Sequence, residues 1–386
     1  SYNWTIDNKE FQGETVRYTF ARPGVYIVTL TVSDDKGGKG IATSRVFVGN
    51  TPPEVHIQTA ANRSFYWDNS VLDYSIAVKD KEETTINPDR IKVSYGYVPR
   101  GKDVAVILTK NQDTGNFKYL KGQQMVATLD CKSCHSMDKT SVGPAYLAIS
   151  DRYVGKANSV ERLSEKVIKG GSGVWGERAM SPHPALSADD ATEIVNYILS
   201  LSTKSGKIPL KDTIVLKEHI GKGTEGSYLL NASYTDQGAN GIEPLQSRDH
   251  ITLRNPFVQA EDFDEGNVRV ATITTAFYAY ARGINHNSYM RFNKIDLTHV
   301  RQLKYRVQPQ AGGKIEVRLD KADGPLISSV SIPAGIAADP AAWKEITAPL
   351  NEINGIHNVY FVFIDPEGKK KNLFNIDWIY FSNTEK

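Results

Sequence analysis

The 386-residue chain has only two cysteines and four methionines, and its formal net charge at pH 7 is only +2. Two cysteines cannot supply the dense disulfide network of a small secreted scaffold. A charge balance this close to zero favours neither a nucleic-acid nor a membrane-surface partner. No apolar run is long enough to cross a bilayer as a helix. The length exceeds that of a single hydrophobic core, so we expect several domains.

Both cysteines lie in one short segment, Cys131-Lys132-Ser133-Cys134-His135. A C-x-x-C-H sequence is the attachment signature of c-type haem, in which two thiols bind the porphyrin and the histidine binds the iron. A thioredoxin-like dithiol would not explain the histidine, and a zinc site would need two further ligands nearby. The sequence therefore predicts one covalently bound haem c.

The second axial ligand is expected to be a methionine supplied by a loop. Met180 is the candidate, because glycines at 170–176 and Pro182 surround it with loop-forming residues. His183 lies in the same loop and is an alternative ligand. The other methionines flank the haem motif too closely or fall in another domain: Met125, Met137 and Met290.

Ordered motifs surround the haem segment. A helix is predicted at 122–130, Gly143-Pro144 follows the motif, and Gly-Val-Trp-Gly at 173–176 precedes Met180. With these features, residues 116–204 resemble a small bacterial class I cytochrome c, an all-α fold. The resemblance implies iron ligation by His135 and Met180, packing of Pro144 on the histidine side, and Trp175 near the haem propionates.

A last helix of this unit is predicted from residue 187 onward. Ser187 followed by acidic residues is a typical helix start. Ile194, Tyr197 and Ile198 recur at helical spacing and form one apolar face, for which core packing is the simplest interpretation.

The first 50 residues favour β-structure. Alternating or β-branched segments at 15–20 and 25–34 flank the turn Pro23-Gly24. With Trp4, these segments resemble the later strands of a PKD domain, an immunoglobulin-like sandwich whose first two strands are absent here. We expect the rest of that domain, and a secretion signal, to lie upstream or to have been removed. PKD domains are spacers or adhesion modules, so the resemblance assigns no chemistry.

Two further β-rich segments flank the haem unit. After the stiff junction at Pro52-Pro53, residues 54–115 predict a second β-sandwich, and residues 205–254 predict a linker with strands. The cluster Phe65-Tyr66-Trp67 is either a binding surface or part of a core. Core packing is favoured, because large aromatic side chains usually fill sandwich interiors.

The remainder, residues 255–386, contains the segments VQAEDF at 258–263, GKIEVRLD at 313–320 and NLFNIDW at 372–378. Together they resemble a family 6 carbohydrate-binding module, a β jelly roll. The resemblance implies sugar contacts and a structural calcium ion. The sugar contacts would be Tyr280, Trp343 and Asn372, and the calcium ligands would be Gln259, Glu261 and Asp377.

The segment 277–289 departs from the family pattern, so Tyr278 could replace Tyr280. A jelly roll that has lost its sugar cleft is the other interpretation. The nearby run at 369–371, three lysines, is most simply a solvated loop.

Three classes of function are compatible with these modules. The first is an electron carrier, which needs no vacant position on the iron. The second is a haem enzyme or ligand sensor, which does need one, and Met180 as the second iron ligand argues against it. A glycan-binding adhesive protein with a secondary haem is the third. The sequence favours a multidomain, non-enzymatic electron carrier in the periplasm, outside the cell or at the outer membrane of a bacterium. Its expected partners are a sugar dehydrogenase or terminal acceptor, and a polysaccharide or oligosaccharide.

Overall fold

The computed structural model describes residues 1–99, 117–202, 208–223, 226–273, 278–335 and 343–384. These residues form β-sheets on both sides of a helical unit. The predicted fold class, a multidomain chain with β-sandwiches, a central α-helical unit and a C-terminal jelly roll, is confirmed.

An N-terminal sheet opens the chain. Its strands are β1 (Tyr2–Ile6), β2 (Lys9–Gln12), β3 (Gly24–Ser33) and β4 (Lys39–Val48), in the antiparallel order β2-β1-β3-β4. The strand predicted at 15–20 is wrong, because this segment is unpaired. Instead, Tyr18 packs edge-on against Phe11 and Phe20, and Phe20 packs against Tyr26 at 4.3 Å between ring centroids. The aromatic residues here cover the sheet rather than extend it.

Next come β5 (Glu54–Gln58), β6 (Val71–Lys79) and β7 (Ile91–Val98), which begin the second sandwich. The chain then enters the helical unit. That unit contains the helices α1 (Leu120–Thr128), α2 (Tyr146–Tyr153), α3 (Ser159–Lys169) and α4 (Ala188–Ser200), and the hairpin β8 (Gly171–Gly173) and β9 (Gly176–Met180). The predicted boundaries near residues 116 and 204 lie outside the described residues.

Helix α4 begins as predicted. The Ser187 hydroxyl accepts a hydrogen bond from the Asp190 N–H at 3.1 Å, and Ile194, Tyr197 and Ile198 are buried in one cluster with α1. The two helices cross at Gly122, where any β-carbon would collide with the Glu193 carbonyl. A glycine is therefore required at this crossing.

After the helical unit, β10 (Lys211–Val215), β11 (Ser227–Thr235) and β12 (Gln246–Arg254) return to the second sandwich. β10 pairs with β6, and β11 pairs with β7, giving sheets β10-β6-β5 and β12-β11-β7. Strands β10, β11 and β12, which lie in the segment predicted as a linker with strands (205–254), thus complete the sandwich begun at residue 54. The helical unit is an insertion within that sandwich.

The jelly roll follows. Its strands are β13 (Phe257–Gln259), β14 (Glu265–Gly266), β15 (Arg269–Ile273), β16 (Tyr278–Arg282), β17 (Tyr289–Asp296), β18 (Gln302–Pro309), β19 (Gly313–Leu319), β20 (Leu326–Ile332), β21 (Lys344–Pro349), β22 (Ile356–Ile364) and β23 (Phe374–Ser382). One sheet has the order β15-β16-β23-β18-β21, with β13 also paired to β23, and the other has β14-β17-β22-β19-β20. On β18, buried Tyr305 and Val307 alternate with the outward-facing Arg306.

The aromatic cluster at 65–67 joins the second sandwich to the jelly roll. Phe65 stacks on Phe381 at 4.7 Å, and the Trp67 indole N–H donates to the Phe381 carbonyl at 2.9 Å. Phe65 and Trp67 belong to the jelly-roll core, whereas Tyr66 belongs to the core of its own sandwich. Core packing, the favoured interpretation, is therefore what the structure shows.

Candidate haem site and carbohydrate face

The haem motif forms a short turn directly after α1. Residues Asp130–Ser133 form a 3₁₀ helix, and the His135 N–H donates to the Cys131 carbonyl at 3.0 Å. Cys131 and Cys134 are both free thiols, the first half-buried and the second exposed. Burial raises the pKa of the Cys131 thiol. The turn therefore presents two unpaired thiols and an imidazole from one compact segment.

The His135 imidazole is fixed by the loop that follows it. Its Nδ1 lies 2.7 Å from the Pro144 carbonyl oxygen. Because a carbonyl only accepts, Nδ1 must carry the proton, and in the neutral imidazole Nε2 then keeps its lone pair. A β-carbon at Gly143 would lie 2.6 Å from His135 Cε1, and Tyr146 stacks on the ring at 5.5 Å. The ring is thus held with its metal-binding nitrogen available.

Met180 ends the hairpin β8–β9, in which it pairs with Gly171. His183 ties this loop back to the haem motif, because its Nε2 lies 3.1 Å from an Asp130 carboxylate oxygen. The other ring nitrogen of His183 lies 3.2 Å from the Val167 carbonyl. Both nitrogens of His183 are engaged, which favours Met180 over His183 as the ligand.

Trp175 lies at the tip of that hairpin and is 44% exposed. The Arg152 guanidinium is 5.0 Å from its ring centroid, and Tyr153 meets it edge-on at 6.5 Å. Several other apolar side chains in the haem-binding segments are also exposed: Leu129, Met137, Val142 and Val174. Exposed apolar side chains on both sides of the C-x-x-C-H motif fit a group that packs over them. Free thiols, an available imidazole nitrogen and a nearby apolar surface all fit haem c.

In the jelly roll, the structure brings the predicted sugar-stacking residues together. Tyr280 and Trp343 lie 5.6 Å apart with rings at 78°, and Tyr278 and Trp343 lie 6.1 Å apart at 90°. The Arg306 guanidinium is 5.4 Å from the Trp343 ring. Rings this close and perpendicular leave no gap for a sugar ring between them. Tyr278, Tyr280 and Trp343 therefore form one aromatic cluster.

Among the described residues, no ring contact or hydrogen bond joins Asn372 to the aromatic cluster. It occupies the loop between β22 and β23 with a φ of 51°. Its backbone N–H donates to the Asn285 side-chain oxygen at 3.0 Å, so its backbone is fixed while its side chain is exposed.

The predicted calcium ligands lie near one end of the jelly roll. One Glu261 carboxylate oxygen is buried without a hydrogen-bond partner, and burial raises the pKa of Glu261 to about 7, with Asp262 and Asp377 adding to the rise. Asp377 is buried and pairs with Arg306 at 2.6 Å. Gln259 pairs in the ladder with Trp378, next to Asp377. An orphaned carboxylate beside a second one fits a bound cation.

Within the described part of the chain, no three histidine, cysteine, aspartate or glutamate side chains form a metal-sized group. The predicted calcium site does not require three such side chains, because its ligands are the carboxylates of Glu261 and Asp377 and the amide of Gln259. Hard cations such as calcium accept carboxylate and amide oxygens alike.

Sequence reasoning missed Arg306 and Arg152. Arg306 could have been found from the alternation on β18, which places it on the outer face between two buried residues. Arg152 gave no local signal, because its approach to Trp175 depends on how α2 packs beside the hairpin.

Three family models match the chain in succession. They are a PKD domain over residues 1–48, cytochrome c over residues 119–202 and a family 6 carbohydrate-binding module over residues 259–383. The resemblances stated from the sequence are thereby confirmed, in that order. The chain therefore combines an electron-transfer domain that implies covalent haem c with a domain type that binds polysaccharide. Among the described residues, no helix has the length and apolar character to span a membrane.

Individual proteins match in parts. The chain is 37% identical over 79 residues to cytochrome c-552 of Hydrogenobacter thermophilus, spanning 20% of this chain and 80% of that protein. It is 40% identical over 82 residues to the arabinoxylan arabinofuranohydrolase of Bacillus subtilis, spanning 21% of this chain but only 15% of that enzyme. A β-1,3-glucan-binding family 6 module from Bacillus halodurans matches at 22% identity over 32% of this chain and 93% of its own, with a TM-score of 0.29.

Proposed function

This chain belongs to the cytochrome c family through its helical unit, and we propose that it is an electron carrier with one haem c ligated by His135 and Met180. The observation that carries the proposal is the contact of His135 Nδ1 with the Pro144 carbonyl oxygen at 2.7 Å, which leaves Nε2 for the iron. The bound haem supplies a one-electron couple. The test is the absorption spectrum of the oxidised and reduced protein.

The protein's own residues define the remaining roles. Cys131 and Cys134 would anchor the haem, and His135 and Met180 would ligate its iron, which would leave no iron position for a substrate. Trp175 and Arg152 would lie near the propionates, where the guanidinium offsets their charge. Haem c is attached outside the bacterial cytoplasm, so we place the protein in the periplasm, outside the cell or at the outer membrane.

The jelly roll would hold the protein on a polysaccharide while the cytochrome unit exchanges electrons with a sugar dehydrogenase or a terminal acceptor. This coupling is supported by the presence of both domain types in one chain. The coupling is tested by adding a sugar dehydrogenase together with its sugar and measuring whether the haem becomes reduced. A glycan-binding adhesive role with a secondary haem is the second candidate, favoured by the PKD match at residues 1–48.

Replacing Trp343 with alanine is expected to weaken polysaccharide retention at least tenfold. The indole is the largest ring of the aromatic cluster, and a truncated aromatic anchor commonly costs about 2 kcal/mol or more of binding free energy. Affinity electrophoresis of the full chain measures the effect. Phe257→Ala, which removes an exposed ring elsewhere on the same module, is the matched control. Equal retention of the two variants would contradict the assignment of the cluster.

Calcium is expected to raise the melting temperature of the jelly roll by several degrees. A ligand at about one hundred times its dissociation constant stabilises the folded state by about 2.7 kcal/mol. Glu261→Gln should remove this shift, because the orphaned carboxylate loses its charge. Calorimetry with calcium and with chelator measures it, and Glu352→Gln, an exposed carboxylate, is the control. A wild-type melting temperature indifferent to calcium would rule the site out.

A further inference from the structure

The loop at residues 365–372, here called the lysine loop, joins β22 to β23. It carries Lys369, Lys370 and Lys371, all exposed, directly before Asn372. The sequence predicts a solvated loop for these lysines, whereas in the structure hydrogen bonds to a buried carboxylate fix their backbone.

A buried carboxylate fixes the middle of the lysine loop. Asp365 is 1% exposed, and one of its oxygens accepts hydrogen bonds from the Lys369 and Lys370 N–H groups at 2.7 and 2.9 Å. These bonds lower the pKa of Asp365. The Asp365 N–H donates in turn to His286 Nδ1 at 3.1 Å. The buried Asp365 carboxylate thus fixes the backbone of Lys369 and Lys370.

The end of the loop is fixed as well. The Asn372 N–H donates to the Asn285 side chain at 3.0 Å, and the Leu373 N–H donates to the Ile284 carbonyl at 2.8 Å. The three lysine side chains therefore extend from an ordered backbone beside the predicted sugar contact.

The charge of this surface is incompletely balanced. Lys370 Nζ lies 4.0 Å from the second Asp365 oxygen, which has no hydrogen-bond partner. Neither Lys369 nor Lys371 pairs with a carboxylate anywhere in the described segments, and Glu367 is the exposed carboxylate of the loop. Adjacent like charges repel one another, so an anion bound here would relieve that repulsion.

We propose that the polysaccharide bound by the jelly roll is anionic, and that Lys369 and Lys371 pair with its carboxylate or sulfate groups while Asn372 bonds its hydroxyls. The inference rests on the proposed carbohydrate binding and names its ligand class. Lysine suits this role, because a point charge on a flexible stem meets anionic groups in many orientations.

The test compares polysaccharides by affinity electrophoresis of the full chain. Polygalacturonate carries carboxylates, dextran sulfate carries sulfates, and xylan and β-1,3-glucan serve as neutral probes. The variant is Lys369→Gln with Lys371→Gln, which removes two exposed charges and no described contact of those side chains. The control is Lys294→Gln with Lys321→Gln, two exposed lysines elsewhere on the module.

We expect the wild type to retain at least one anionic probe, the loop variant to bind it at least tenfold more weakly, and the control to match the wild type. Added salt should weaken the binding, since exposed charges are screened. Retention of neutral probes alone would overturn this inference and leave carbohydrate binding intact. Equal weakening in the loop variant and the control would also overturn it. Retention of no probe would count against the proposed carbohydrate binding as well.

Discussion

Replacing both haem-motif cysteines, Cys131→Ser and Cys134→Ser, is expected to abolish covalent haem completely. A serine hydroxyl cannot form the thioether that holds the porphyrin, so denatured protein should show no haem-dependent peroxidase stain and no haem mass by mass spectrometry. The helical unit should also lose structure, because apolar side chains such as Val142 and Val174 would stay exposed to water.

Ser133→Ala is the matched control, because it alters the same turn and leaves both thiols in place. Its haem content should equal that of the wild type. Covalent haem in the double serine variant would contradict the assignment of the motif, since these two residues are the chain's only cysteines.

Replacing Met180 with alanine is expected to open the sixth iron position. The ferrous protein should then bind carbon monoxide, and the weak far-red band of a methionine–iron bond should disappear. The reduction potential should fall, because a methionine ligand raises it, within the roughly 0.8 V range that axial ligation spans. Optical titration measures all three changes.

Met137→Ala is the control, since Met137 is 43% exposed beside the haem motif. It should keep the far-red band and exclude carbon monoxide. If Met180→Ala keeps the wild-type spectrum, the ligand is another residue, and His183 in the same loop becomes the first candidate despite its contacts with Asp130 and Val167.

Features encoded in short segments could be predicted from the sequence. The start of α4 follows from Ser187 and its apolar face from residues one turn apart, because both depend on neighbours in the chain. The strand predicted at 15–20 is wrong because β-propensity depends on the surroundings of a residue. Tyr18 and Phe20 are common strand residues, but here their rings pack against Phe11 and Tyr26 and their backbone does not pair.

Long-range pairing could not be predicted. The pairing of β10 with β6 and of β11 with β7 joins segments separated by the entire helical unit, and nothing in residues 205–254 indicates the partner strands. In the same way, Phe65 and Trp67 look like part of one sandwich, whereas they complete the core of the next.

The candidate sites differ in the same way: residues close in sequence could be predicted, and contacts between distant segments could not. The haem motif and the Gly143-Pro144 pair lie close in sequence, and the structure adds the contact between His135 Nδ1 and the Pro144 carbonyl. The aromatic cluster of the jelly roll joins β16 to Trp343, which directly precedes β21, so the edge-to-face geometry of Tyr280 and Trp343 was not accessible from sequence. The hydrogen bonds from the lysine loop to Asp365 could not be predicted, because the burial of Asp365 does not follow from the exposed residues beside it in the sequence.

The most direct test of the central claim is the visible absorption spectrum of the purified protein, oxidised and reduced, after expression with haem c maturation. We expect a low-spin c-type spectrum, with the weak far-red methionine–iron band in the oxidised state and no change of the reduced spectrum with carbon monoxide. A high-spin spectrum, or one that changes with carbon monoxide, would contradict the electron carrier with His135 and Met180 as ligands.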